Sequence, residues 1–143
     1  MTVAAILKHK GADVAHIGPT ATVAEAAQQL HQRRIGALLV LESDKRVAGI
    51  LSERDIVGCL ARHGAETLAM TVDQLMTREL KTATMQTTVP QAMEMMTAGR
   101  FRHLPVMDGD RLLGVVSIGD IVKARISQQE HEVDSLKAYV AGA

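Results

Sequence analysis

Aromatic side chains are nearly missing from this chain: its 143 residues include one Phe, one Tyr and no Trp. Without them there is no stacking platform of the kind that holds single-stranded nucleic acid. Cysteine is also scarce. A lone Cys59 excludes an internal disulfide and gives no sign of an oxidising compartment. Its neighbours Ile56, Val57 and Leu60 suit a buried structural thiol better than a reactive one. Nor is charge of one sign in excess. Sixteen Lys and Arg balance sixteen Asp and Glu, leaving no field to hold a polyanion or an anionic membrane. The longest apolar run, around Ala37–Leu41, is far short of the roughly 20 residues a membrane-spanning helix needs. At the N-terminus, Lys8 and Lys10 follow the apolar stretch, the reverse of a signal peptide's order. The expectation is a soluble, cytoplasmic protein with no nucleic-acid or membrane partner.

What is present is a globular composition, 47% hydrophobic and 22% charged, its apolar load carried by Ala, Val, Ile, Leu and eight Met. At this length about 70% of the unfolded chain's surface can be buried. Catalytic chemistry finds little support. The six His, at 9, 16, 31, 63, 103 and 131, have no ligand-like spacing, so neither a metal nor a catalytic residue is expected. Gly109-Asp-Arg-Leu-Leu-Gly114 leads into Val115-Val116, where a phosphate loop would continue with Lys-Ser or Lys-Thr.

The chain repeats itself. Thr22–Val57 aligns with Thr88–Val122 through one gap, at Lys45, with 13 identities in 35 positions, where average composition gives roughly two. A weaker likeness joins Val3-Ala-Ala-Ile-Leu to Val72-Asp-Gln-Leu-Met. In each copy Thr22-x-x-Glu25 or Thr88-x-x-Gln91 is a capping box that opens a helix. Apolar residues follow at three- and four-residue spacing. Two short apolar runs around Ser43-Asp44-Lys45 or Asp108-Gly109-Asp110 read as a hairpin, and Ser52 or Ser117 opens a second helix. With a short strand at Val14–Ile17, each repeat runs strand, helix, strand, strand, helix. The fold class is mixed α and β. The expected divisions are repeat 1 at 1–63, a linker at 64–71, repeat 2 at 72–127 and a helical tail at 128–143, whose Ile126, Val133, Leu136 and Val140 form a loose apolar stripe. Packing on a second copy and covering its own domain are both open for that stripe.

The element most suggestive of chemistry is Gly49-Ile-Leu-Ser52-Glu-Arg-Asp55, repeated as Gly114-Val-Val-Ser117-Ile-Gly-Asp120. One reading is a second capping box, worth about 1 kcal/mol. Another is that the N–H groups and Ser hydroxyl face an anion while the carboxylate accepts from the vicinal hydroxyls of a ribose. Both can hold at once.

This motif in two copies, with Arg102-His-Leu-Pro-Val106 entering a strand, resembles the CBS domain pair, or Bateman module, from about Val3 to Arg125. The resemblance implies two β-α-β-β-α units related by a pseudo-twofold axis, two clefts for an adenosine-containing ligand (AMP, ADP, ATP, NAD(H) or S-adenosylmethionine), a homodimer, and no catalytic cofactor. By resemblance Asp55 and Asp120 take the ribose, with Ser52 and Ser117 near ribose or phosphate. Arg102 and His103 are placed towards the Asp55 site, and Gly36 and Ala37 towards the Asp120 site. Arg54 is a possible cationic contact that Gly119, after Ile118, lacks in the second copy, and Leu39 stands where the second repeat has Pro105. Arg100, Arg102 and His103 would make the Asp55 cleft the one favouring the more anionic ligand; solvated helix-end residues are the alternative for the two Arg. The functional expectation is a stand-alone, non-enzymatic nucleotide sensor signalling to an unknown effector in trans. The competing expectation is an interaction or dimerisation module without ligand.

Overall fold

The computed structural model describes residues 1–11 and 13–142. Ala12, within the first expected repeat, and Ala143, the last residue of the expected tail, lie outside the described residues. The elements are α1 (Val3–Lys10), β1 (His16–Ile17), α2 (Val23–Arg33), β2 (Ala37–Leu41), β3 (Val47–Ser52), α3 (Glu53–His63), a 3-10 helix (Gly64–Ala69), α4 (Val72–Leu75), α5 (Val89–Gly99), β4 (His103–Asp108), β5 (Arg111–Ser117) and α6 (Ile118–Gly142).

Two compact units result. The first is Asp13–Leu80 with Asp110–Leu112; the second joins α1 to Lys81–Gly109 and to the chain from Leu113 on. In the first unit, β1 runs parallel to β2, which pairs antiparallel with β3. Val23, Ala26 and Leu30 of α2 bury against Leu38, Val40 and Leu51 of that sheet. The Thr22 capping box forms, with Glu25 N–H donating to Thr22 Oγ1 at 3.2 Å and Thr22 N–H to Glu25 Oε2 at 3.3 Å. The second unit repeats this plan. Thr88 and Gln91 cap α5 reciprocally, and β4 pairs with β5 over a core that includes Val89, Ala92, Met96, Leu104, Val106 and Val116. The alignment gap at Lys45 falls in the β2–β3 turn, where Lys45 is left-handed at φ 69°; Gly109 takes that role in the β4–β5 turn at φ 59°.

Three features differ in detail from the sequence expectation. The second repeat's first strand shrinks to one parallel bridge, Ala83 to Val106. Thr84 ends it: its N–H donates to Thr87 Oγ1 at 3.0 Å and its Oγ1 accepts from Gln86 N–H at 3.2 Å, side-chain bonding that turns the backbone away from a ladder. The second helix of repeat 2 and the tail are one continuous helix of 25 residues. The segment 64–71 is packed: Thr67 is fully buried, and its Oγ1 lies 3.5 Å from the Sγ of Cys59, itself buried.

The two helices that precede the repeats are exchanged between the units. Val3, Ile6 and Leu7 of α1 join the core of repeat 2, while Val72 of α4 and the following Met76 join that of repeat 1. Matching hydrogen bonds seat them. Val3 N–H donates to Thr87 O at 2.8 Å and Val89 N–H to Met1 O at 3.1 Å; Val72 N–H donates to Ala21 O at 2.8 Å and Val23 N–H to Met70 O at 2.9 Å. The repeated glycines of the two last strands mark these seats. A Cβ at Gly49 would lie 2.6 Å from Thr77 O, and one at Gly114 would lie 2.8 Å from Leu7 Cδ2.

Candidate functional site

Each of the two repeated motifs lies where a strand turns directly into a helix. In the first unit Ser52 ends β3 in an extended conformation, φ −110° and ψ 164°, and caps α3. Its N–H donates to Asp55 Oδ2 at 2.9 Å, its hydroxyl donates to the same oxygen at 3.2 Å, and Asp55 N–H returns to Ser52 Oγ at 3.3 Å. The capping box of the sequence reading is therefore formed. Thr77 Oγ1 lies 3.5 Å from Asp55 Oδ1. Ala37 is the cross-strand partner of Ser52, and Glu53 N–H donates to Gly36 O at 3.0 Å. Gly36, Ala37, Ser52 and Asp55 thus gather around one turn, whereas the resemblance places Gly36 and Ala37 towards Asp120; the hairpin of each repeat brings its strand entry to its own Ser-x-x-Asp turn. Arg54 is exposed beside them. A cavity of about 220 Å³ adjoins Arg54 and Asp55 and is lined also by Cys59, Arg62, His63 and Gln74.

The second unit has the same geometry with one added charge. Ser117 N–H donates to Asp120 Oδ2 at 2.8 Å, and Asp120 N–H to Ser117 Oγ at 3.1 Å. Ile118 N–H donates to Arg102 O at 2.8 Å, which sets the exposed Arg102 and half-buried His103 beside the turn of their own repeat, with Ile118, Gly119 and Asp120, whereas the resemblance places them towards Asp55. Lys10, at the end of α1, brings its Nζ to 2.6 Å from Asp120 Oδ2 and 3.0 Å from Val115 O. Burial pushes the Asp120 carboxyl up, but the Lys10 hydrogen bond, the Ser117 N–H and the Lys10 charge outweigh it and hold the group below the usual carboxylate range.

Sequence reading missed Lys10, which is remote in sequence from Asp120. The only signal for it is the weak likeness of α1 to α4, legible once each helix is seen to pack on the other repeat. Thr77 follows α4 and reaches Asp55; Lys10 closes α1 and reaches Asp120. The two carboxylates are hence unequal, one facing a hydroxyl and the other an ammonium. Arg100, expected as a possible phosphate contact, is the left-handed C-cap of α5, at φ 57°, as its counterpart Arg34 is of α2, at φ 54°.

The CBS domain family model matches residues 3–62 and 72–127. The chain belongs to the CBS domain family. It is 36% identical over 149 aligned residues to the mitochondrial CBS domain-containing protein CBSX3 of Arabidopsis thaliana, covering 99% of this chain and 72% of that protein. A solved CBS-domain containing protein from Agrobacterium tumefaciens superposes with a TM-score of 0.85 at 45% identity, over 87% of this chain and 92% of the other. CBSX2 shares the fold, with a TM-score of 0.72 at 23% identity over 82% of this chain and 90% of its own. The chain spans only 65% and 22% of the length of two further curated relatives. As a CBS pair it carries its two motifs on matching turns. Among the described residues, no group of three or more His, Cys, Asp or Glu is placed to hold a metal ion, and no helix is long and apolar enough to cross a membrane.

Proposed function

We propose that this CBS pair is a non-enzymatic regulatory module that binds an adenosine-containing ligand at its two Ser-x-x-Asp turns and signals to a partner in trans as a cytoplasmic homodimer. The observation that carries this reading is the duplication of one geometry. In both units a carboxylate is held at a strand-to-helix turn with a Ser hydroxyl and helix N–H groups beside it. A ribose presents two donors to such a carboxylate, and a phosphate is favoured at the helix start. The CBS fold accommodates AMP in CBSX2. Asp55 and Asp120 are proposed as the ribose acceptors, with Ser52 and Ser117 beside ribose or phosphate. Gly36, Ala37, Arg54, Arg102, His103, Ile118 and Gly119 are proposed to line the two sites. Lys10 supplies the Asp120 site with a cation of its own.

The test is a thermal-shift and calorimetric series on nucleotide-stripped protein with AMP, ATP, NAD, NADH and S-adenosylmethionine, with GTP as control. A ligand at about 100 times its dissociation constant adds roughly 2.7 kcal/mol to stability, a shift of several degrees. The reading expects an adenine ligand to raise the midpoint and Asp55→Ala with Asp120→Ala to abolish the rise. No shift with any adenine ligand would overturn it.

A further inference from the structure

Beyond Gln128, the C-terminal part of α6 lies open to solvent. Every described residue from Gln129 to Gly142 is exposed, including Val133 at 50%, Leu136 at 64% and Val140 at 67% of their accessible surface. An isolated helix of this length is marginal in water, so a helical tail with apolar residues on one side calls for a partner.

The spacing identifies the kind of partner. Ile126, Val133 and Val140 recur every seven residues, and Val122, Gln129 and Leu136 form a second seven-residue series, each four residues before one of them. These are the a and d positions of a coiled-coil seam, with β-branched residues at every a and Leu136 at one d, the combination that favours two parallel strands, and with Val122 and Gln129 at the other two d positions. The flanking charges complete the pattern. Arg125 and Glu132 occupy g positions; Glu130 and Lys137, each five residues further on, occupy e positions. In a parallel pair those are the residues that face each other across the seam. Arg125 of one copy then meets Glu130 of the other, and Glu132 meets Lys137. Both pairs are opposite in charge.

We propose that residues 122–142 of α6 form a short parallel two-stranded coiled coil with the same segment of a second copy of this chain. This names a surface for the homodimer proposed above and rests on that reading only for the existence of a dimer. With about three heptads and a polar Gln129 at one d position, the pair is expected to dissociate on dilution.

The test is sedimentation equilibrium of the full chain, with the fluorescence anisotropy of Tyr139, the only tyrosine, as a local readout. Leu136→Lys, at an exposed position, is expected to raise the dimer dissociation constant at least tenfold with the melting of the dilute monomer unchanged. Lys137→Glu is expected to weaken the dimer in the same way, and Glu132→Lys with Lys137→Glu to restore it. In a Cys59→Ser background, Val140→Cys is expected to give an oxidised, covalently joined pair, because a positions meet only in the parallel arrangement. A dimer unaffected by Leu136→Lys would overturn the assigned surface and leave the homodimer reading standing. A dimer weakened by Leu136→Lys whose Val140→Cys copies fail to cross-link would overturn the parallel coiled coil. A monomer at all concentrations would overturn both.

Discussion

Lys10 and Asp120 show how one contact makes two equal motifs unequal. Because Asp120 titrates below its ordinary value of about 3.9, the contact stabilises the folded state fully above that value. The contribution disappears as pH falls through the lower, folded-state value. Both groups are partly exposed, which limits the contribution to about 1 kcal/mol or less. Lys10→Met is therefore expected to lower stability slightly at pH 7, with urea melts of variant and wild type converging as pH falls below about 4. Glycine supplies a second residue-scale contrast. Alanine at Gly49 meets a backbone carbonyl, whereas alanine at Gly114 meets the end of a flexible Leu7 side chain. Gly49→Ala is expected to cost about 1–3 kcal/mol and Gly114→Ala less, as read by chemical denaturation. The sequence marked both glycines as repeated, but the reason for them lies in segments far along the chain.

At the element scale, what was legible followed local chemistry. The Thr22 and Thr88 boxes, the two hairpins and the Ser52 and Ser117 turns each depend on residues within three or four positions of one another, and each formed as read. The exchange of α1 and α4, the lost first strand of repeat 2 and the fusion of the tail with the preceding helix depend on partners or on turn details that periodicity does not encode. Ser52 and Asp55 illustrate the boundary. Their capping role was legible and is present; their ligand role rests on the resemblance to CBS proteins and awaits the titration. Two variants separate these roles. Ser52→Ala is expected to cost about 1 kcal/mol in a thermal or urea melt. Asp55→Asn retains an acceptor for the Ser52 N–H, and is expected to keep most of that stability while weakening adenine-ligand binding in calorimetry.

At the scale of the whole molecule, the internal repeat predicted paired units, and two compact units are present whose composition departs from the order of the chain. The first unit draws nearly all its residues from Asp13–Leu80 and contains its own core of Ile17, Val23, Leu38, Leu51 and Val72. A fragment of that span is expected to melt cooperatively by circular dichroism. A fragment ending at residue 71 lacks Val72 and Met76 and is expected to lose that cooperativity.

The placement of α1 also sets an order of events during synthesis. The helix leaves the ribosome before either repeat, yet its seat on Val89, Leu104 and Val116 is not made until the second repeat has followed. The intervening first unit has all its main elements by Leu80 and can fold while Val3, Ile6 and Leu7 still lack their burial site. The nascent chain thus carries the apolar face of α1 unsatisfied while the whole of the first unit is made. The second unit completes its core only with a helix made before the first unit.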